Sequence, residues 1–86
     1  MTELLLGSEY DDDLFYRLVA EVETMGGSIV DREWILGGPQ EVTLYEISLP
    51  GADLVAVAQS GFGLSLRGEQ ALIEALADRV APNRRA

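Results

Sequence analysis

The chain has no cysteine, no histidine and no lysine, and all six of its cations are arginines. Without cysteine there is no disulfide, no thiolate nucleophile and no sulfur ligand for zinc. Without histidine there is no imidazole base, and without lysine no Schiff-base amine. Ser60, Ser65 and Tyr45 therefore have no nitrogen base to activate them. No apolar run approaches the 18 residues of a membrane span. The opening Met1-Thr2-Glu3-Leu4-Leu5-Leu6-Gly7 lacks the basic stretch of a signal peptide, so a cytoplasmic location is the expectation. Only three prolines and one tryptophan occur.

What is abundant is negative charge. Fifteen acids against six arginines give a net charge of −9 over 86 residues, with a pI near 4.1. Such a balance argues against nucleic acid, whose phosphates are neutralised by basic side chains, and against anionic membrane surfaces. The imbalance is confined to residues 1–46, which hold eleven acids and two arginines, while residues 47–86 hold four of each. At 48% hydrophobic residues the composition is that of a folded chain. The length corresponds to one domain, residues 1–86. Such a domain is worth about 4–13 kcal/mol of net stability at the usual 0.05–0.15 kcal/mol per residue.

Periodicity divides the chain. Residues 1–7 fit either a short strand or a loose arm. Ser8 is a candidate N-cap, with Asp11, Asp12 and Asp13 in or just beyond the first turn, where carboxylates suit the helix dipole. Leu14, Phe15, Leu18, Val19, Val22 and Met25 then follow a helical stripe that Gly26-Gly27 ends. Asp13–Arg17 and Arg17–Glu21 stand four residues apart on its outer face. From residue 28 the pattern is that of strands. Residues 29–36 place Val30, Arg32, Trp34 and Leu36 on one face and Ile29, Asp31, Glu33 and Ile35 on the other. Gly37-Gly38-Pro39-Gln40 is a turn. In 41–49 Tyr45, Ile47 and Leu49 alternate, with Val42 and Leu44 on the opposite parity, which implies a bulge or burial on both sides. After Pro50-Gly51, residues 53–58 are apolar on both parities and read as a central strand. Residues 62–66 alternate strictly, which directs Phe62, Leu64 and Leu66 to the core. A second helix over 69–80 carries Leu72, Ile73, Leu76 and Val80, and 82–86 read as a frayed tail.

The expected fold is α+β: helix, four-stranded antiparallel meander, helix, with both helices on one face of the sheet as a two-layer sandwich. This leaves a bare sheet face that carries Asp31 and Glu33 and is open to solvent or to a partner.

The acids make the strongest candidate site. Glu9, Asp11, Asp12, Asp13, Glu21 and Glu23 flank or lie on the first helix, and Asp31 and Glu33 follow on the first strand of the meander. With that strand at the edge beside the helix, all eight carboxylates would share one flank and attract a basic partner. Solvated helix surface and dipole compensation are the competing explanation for the three aspartates. Trp34 fits the core with one parity, or an interface anchor beside Tyr45 with the other. A dedicated metal site is not expected: there is no calcium-loop spacing, and three consecutive helical carboxylates point about 100° apart. A domain this small leaves little room for even a ~300 Å3 ligand pocket.

In element order the chain resembles the double-stranded-RNA-binding domain, but Glu69, Glu74 and Asp78 occupy the helix that is basic in that family. It also resembles the frataxin fold in order and in its acidic first helix and strand. That resemblance implies a carboxylate ridge serving iron and partner proteins; it covers element order and no residue motif.

The reading that follows is a small acidic non-enzymatic binding module of inhibitor, immunity or adaptor type. It requires no cofactor and docks a basic protein through Glu9, Asp11, Asp12, Asp13, Glu21, Glu23, Asp31, Glu33, Trp34 and Tyr45. A carboxylate cation binder or metallochaperone is the second reading. A homodimer joined through the open sheet face, with Trp34 and Tyr45 in the contact, is the third.

Overall fold

A computed structural model describes residues 2–38 and 40–82, so Pro39 of the expected turn and residues 83–86 of the expected tail lie outside the described residues. The elements run β1 (Thr2–Gly7), α1 (Asp12–Thr24), β2 (Ser28–Gly37), β3 (Gln40–Leu49), β4 (Ala52–Gln59), β5 (Gly63–Gly68) and α2 (Gln70–Val80). The five strands form one antiparallel sheet in the order β1-β5-β4-β3-β2. Four of them are the expected meander, with the doubly apolar β4 at the centre.

The fifth strand corrects the sequence reading. Of the two alternatives for residues 1–7, residues 2–7 take the strand, at one edge of the sheet: Leu4 pairs with Leu66 across β1 and β5, and Leu6 is only 5% exposed. The chain therefore begins strand-first, departing from the helix-first order on which both family resemblances rest.

Helix α1 starts later than Ser8 suggests. Asp11 is its N-cap, and its carboxylate accepts from the Leu14 amide at 3.1 Å. Ser8 instead closes the preceding turn, accepting from the Tyr10 amide through Oγ and from the Asp11 amide through its carbonyl. Both residues are competent caps, and the sequence alone does not rank them. The helix ends as expected. Gly26 has a φ of +83°, and the Gly26 and Gly27 amides donate back to the Glu23 and Val22 carbonyls, the Schellman pattern. In α2, Glu69 lies one residue before the helix and caps it, accepting from the Ala71 and Leu72 amides.

The core lies between one sheet face and both helices. Leu14, Leu18 and Val22 of α1 and Ile73, Leu76 and Val80 of α2 pack on Leu64, Leu66, Leu54, Ala56 and Ile47. Two sequence expectations fail at the edges of this core. Phe62 is not on a strand: it sits in the β4–β5 turn, 62% exposed, between Gly61 (φ +78°) and Gly63 (φ +106°). Two left-handed residues break the ladder that strict alternation had suggested.

The two glycines differ in what surrounds them. A Cβ on Gly61 meets nothing within 4 Å, whereas one on Gly63 runs into the Gly7 backbone carbonyl and Leu5. Gly61→Ala is therefore expected to cost about 1–2 kcal/mol of conformational strain. Gly63→Ala should cost clearly more, because β1 must move away from β5. Urea denaturation of the two variants checks the order, and equal midpoints would contradict it.

The second failure is a β-bulge. The β2–β3 register shifts between Ile29 and Asp31, leaving Val30 as the extra residue. Ile29 thus packs against the core, while beyond the bulge Arg32, Trp34 and Leu36 lie on the helix-bearing side and Asp31, Glu33 and Ile35 on the other. The sequence reading kept one parity throughout and so assigned Ile29 and Val30 to the wrong sides. A bulge re-aims every side chain on one side of it.

Candidate functional site on the helix-free sheet face

The bulge decides where the charges go. Directly paired residues of an antiparallel sheet share a face. Since Ile47 and Tyr45 face the helices, their neighbours Glu46 and Leu44, and the partners of those two, face away. The registers then give successive rows across the helix-free face. One runs Ile35–Val42–Gln59–Gly63, the next Glu33–Leu44–Val57–Ser65–Leu5, and the third Asp31–Glu46–Val55–Arg67–Glu3. Beyond them Asp53 pairs with Ser48. An apolar patch of Ile35, Val42, Leu44, Val55 and Val57 is bordered on the β2 side by carboxylates. Val57 is 2% exposed, walled in by its neighbours on this face.

A groove of about 470 Å3 lies along the lower rows of this face, lined by Val30, Glu46, Ser48, Asp53, Val55 and Arg67 among others. It exceeds the space expected of so short a chain because the sheet is five strands wide and its second face carries no helix.

The eight carboxylates expected on one flank separate into groups. Glu9 accepts from the Gly61 amide at 2.6 Å and ties the β1–α1 loop to the β4–β5 turn. Asp11 caps α1, and Asp12 and Asp13 are exposed in its first turn. Glu21 faces α2, with Arg79 at 3.5 Å, and Glu23 is exposed near the end of α1. Asp31 and Glu33 lie on the opposite face of the sheet. The continuous ridge is therefore absent: β2 is the edge strand expected beside α1, but its acids point away from the helix. Arg17 likewise departs from expectation. It donates to the Val80 carbonyl at 3.4 Å, at the C-terminal end of α2, where a cation suits the helix dipole.

The aromatics are also redistributed. Trp34 lies outside the core, 57% exposed, on the helix-bearing side of β2. Tyr45 is half-buried, its ring 4.9 Å from that of Phe15. Neither side chain is on the open face, so a dimer through that face cannot use them as its contact.

The site gains residues that the sequence reading passed over. Glu46, Asp53, Leu44 and Val42 join Asp31, Glu33 and Ile35. The off-parity Val42 and Leu44 were the available signal, since apolar residues on both parities mark a strand with two covered faces.

The electrostatics are unbalanced across the third row. At one end Glu3 binds the Arg67 Nε. At the other, Asp31 stands directly opposite Glu46, with Glu33 one row away. Like charges directly opposite each other destabilise a strand pair. Asp31 spends one oxygen on the Arg32 amide, at 2.8 Å. Among the described residues Arg67 is the one cation on this face, and no three carboxylates could together hold a metal ion. No described helix is long and apolar enough to cross a membrane.

Comparison with protein-family models, curated proteins and solved structures finds no match.

Proposed function

We propose that this protein is a small non-enzymatic protein-binding module that docks a basic protein surface onto its helix-free sheet face. The observation that carries this reading is the juxtaposition of Asp31, Glu33 and Glu46, with no cation beside them among the described residues, against the apolar patch of Ile35, Val42 and Leu44 that no helix covers. Carboxylates at the border steer a cationic surface in, and the apolar centre supplies the area that water must leave. The module belongs functionally with inhibitors, immunity proteins and adaptors, whose work is occupancy of another protein's surface. The cation-binder reading is not carried forward, because among the described residues no three carboxylates converge on one point.

The sheet-face site can be tested against the aspartates at the start of α1. Two neutralised variants are compared as bait with the native chain in quantitative capture from extracts of the source cells: D31N/E33Q/E46Q and D11N/D12N/D13N. A basic protein recovered by the native chain and by the helix variant, but lost with the face variant, is the expected outcome. Loss with the helix variant alone would move the site back to α1 and overturn the reading.

A further inference from the structure

We propose that the partner enters as an extended segment that adds a sixth strand along β2, with basic residues alternating with apolar ones. This rests on the reading above and specifies its partner. Strand β2 ends the sheet, with β3 as its one neighbour among the described residues, so alternate amides and carbonyls beyond the bulge point outward with no described strand to receive them. The stretch is exposed on both sides: Trp34 and Leu36 on the helix-bearing side, Ile35 on the open side. A partner resting only on the open face would cover Ile35 and leave Trp34 and Leu36 in water. A strand laid alongside β2 reaches all three, because its own side chains alternate in the same way. Cross-strand complementarity then specifies its sequence. On the open side it meets Asp31 and Glu33, with Glu46 behind them, and calls for arginine or lysine. On the other side it meets Trp34 and Leu36 and calls for apolar residues. The bulge at Val30 limits the straight part of the edge to about residues 32–37.

A second copy of the chain matches this edge less well. The two-fold registers that use the straight stretch 32–37 centre on Trp34 or Ile35. The first sets Glu33 opposite Ile35 and the second sets it opposite Gly37, so neither supplies a cation to the carboxylates, and both bring together molecules of net charge −9.

The probe is a synthetic eight-residue peptide of alternating arginine and valine, titrated into the full chain while backbone amides are followed by NMR. Two further peptides carry N-methyl groups on every second residue, in opposite phase. Expected are slowed hydrogen exchange at amides within 32–37 and at least tenfold weaker binding for one phase of methylation, with the other phase near the parent. The variants W34A and E33Q should each weaken the parent peptide at least threefold. If both methylated peptides bind like the parent while D31N/E33Q/E46Q still abolishes binding, strand addition is overturned and face docking stands. If no peptide binds although differential capture succeeds, strand addition is likewise overturned. Sedimentation as a dimer with the same amides protected, in the absence of peptide, would assign the edge to a second copy and overturn the peptide proposal.

Discussion

Removing residues 2–6 is expected to abolish cooperative unfolding. Strand β1 carries Leu4 and Leu6 into the core, and α2 packs across it. Full burial of a leucine is worth about 1.5–3 kcal/mol, so the buried Leu6 and the partly buried Leu4 together supply more than one such contribution and less than two. A domain of this length holds only about 4–13 kcal/mol in total. The deletion also uncovers the edge of β5, where Leu64 and Leu66 are among the most buried residues. An apolar edge newly open to pairing is a route to aggregation. Circular dichroism at 222 nm during a urea titration is the measurement. A sigmoidal transition with an unchanged midpoint would mean that these residues behave as the loose arm their sequence equally suggested.

That ambiguity has a physical origin. The partner of Leu4 is Leu66, 62 positions along the chain, and nothing within residues 1–7 records it. Elements whose evidence is local were legible. The stripe from Leu14 to Val22, the double glycine after Met25 and the doubly apolar β4 each carry their own signature, and each was assigned correctly. Elements that depend on an exception to periodicity were not. Strict alternation runs one residue too far at Phe62, because the positive φ angles of Gly61 and Gly63 turn the chain there and the ladder starts only at Gly63.

The same kind of exception relocated the site. The concentration of acids in residues 1–46 was plain in the sequence, as was an edge strand beside α1. The sequence reading sets Asp31 and Glu33 on the bare sheet face and also counts them in the flank of the first helix; only the first holds, because a strand face turned away from the helices cannot share their flank. The extra residue at Val30 keeps that placement while turning Ile29 into the core. Once Ile29 is taken into the core, Asp31 must lie opposite Glu46. A pairing of like charges costs about 0.2–1 kcal/mol by the usual scale of cross-strand pairs. A cation brought by a partner would remove that cost, which couples the strain in the free sheet to the affinity of the complex.

The two halves of the open face should therefore separate in binding kinetics, measured by surface plasmon resonance against the basic protein recovered in the capture experiment. Neutralising Glu33 and Glu46 to glutamine is expected to slow association about tenfold and to flatten its dependence on salt, because border charges act mainly on encounter. Leu44→Ala should leave association within about threefold of native. Its effect belongs in dissociation, faster by about 30-fold, which corresponds to the ~2 kcal/mol of a central apolar contact. Leu44 is partly buried by Glu33 and Val57 on either side of its row and does not belong to the helix-facing core, so the thermal midpoint should move little. The variant then reports on the interface and not on folding. If Leu44→Ala dissociates like the native chain while the glutamine pair still slows association, the carboxylates attract the partner but the apolar patch does not receive it, and docking on this face is wrong.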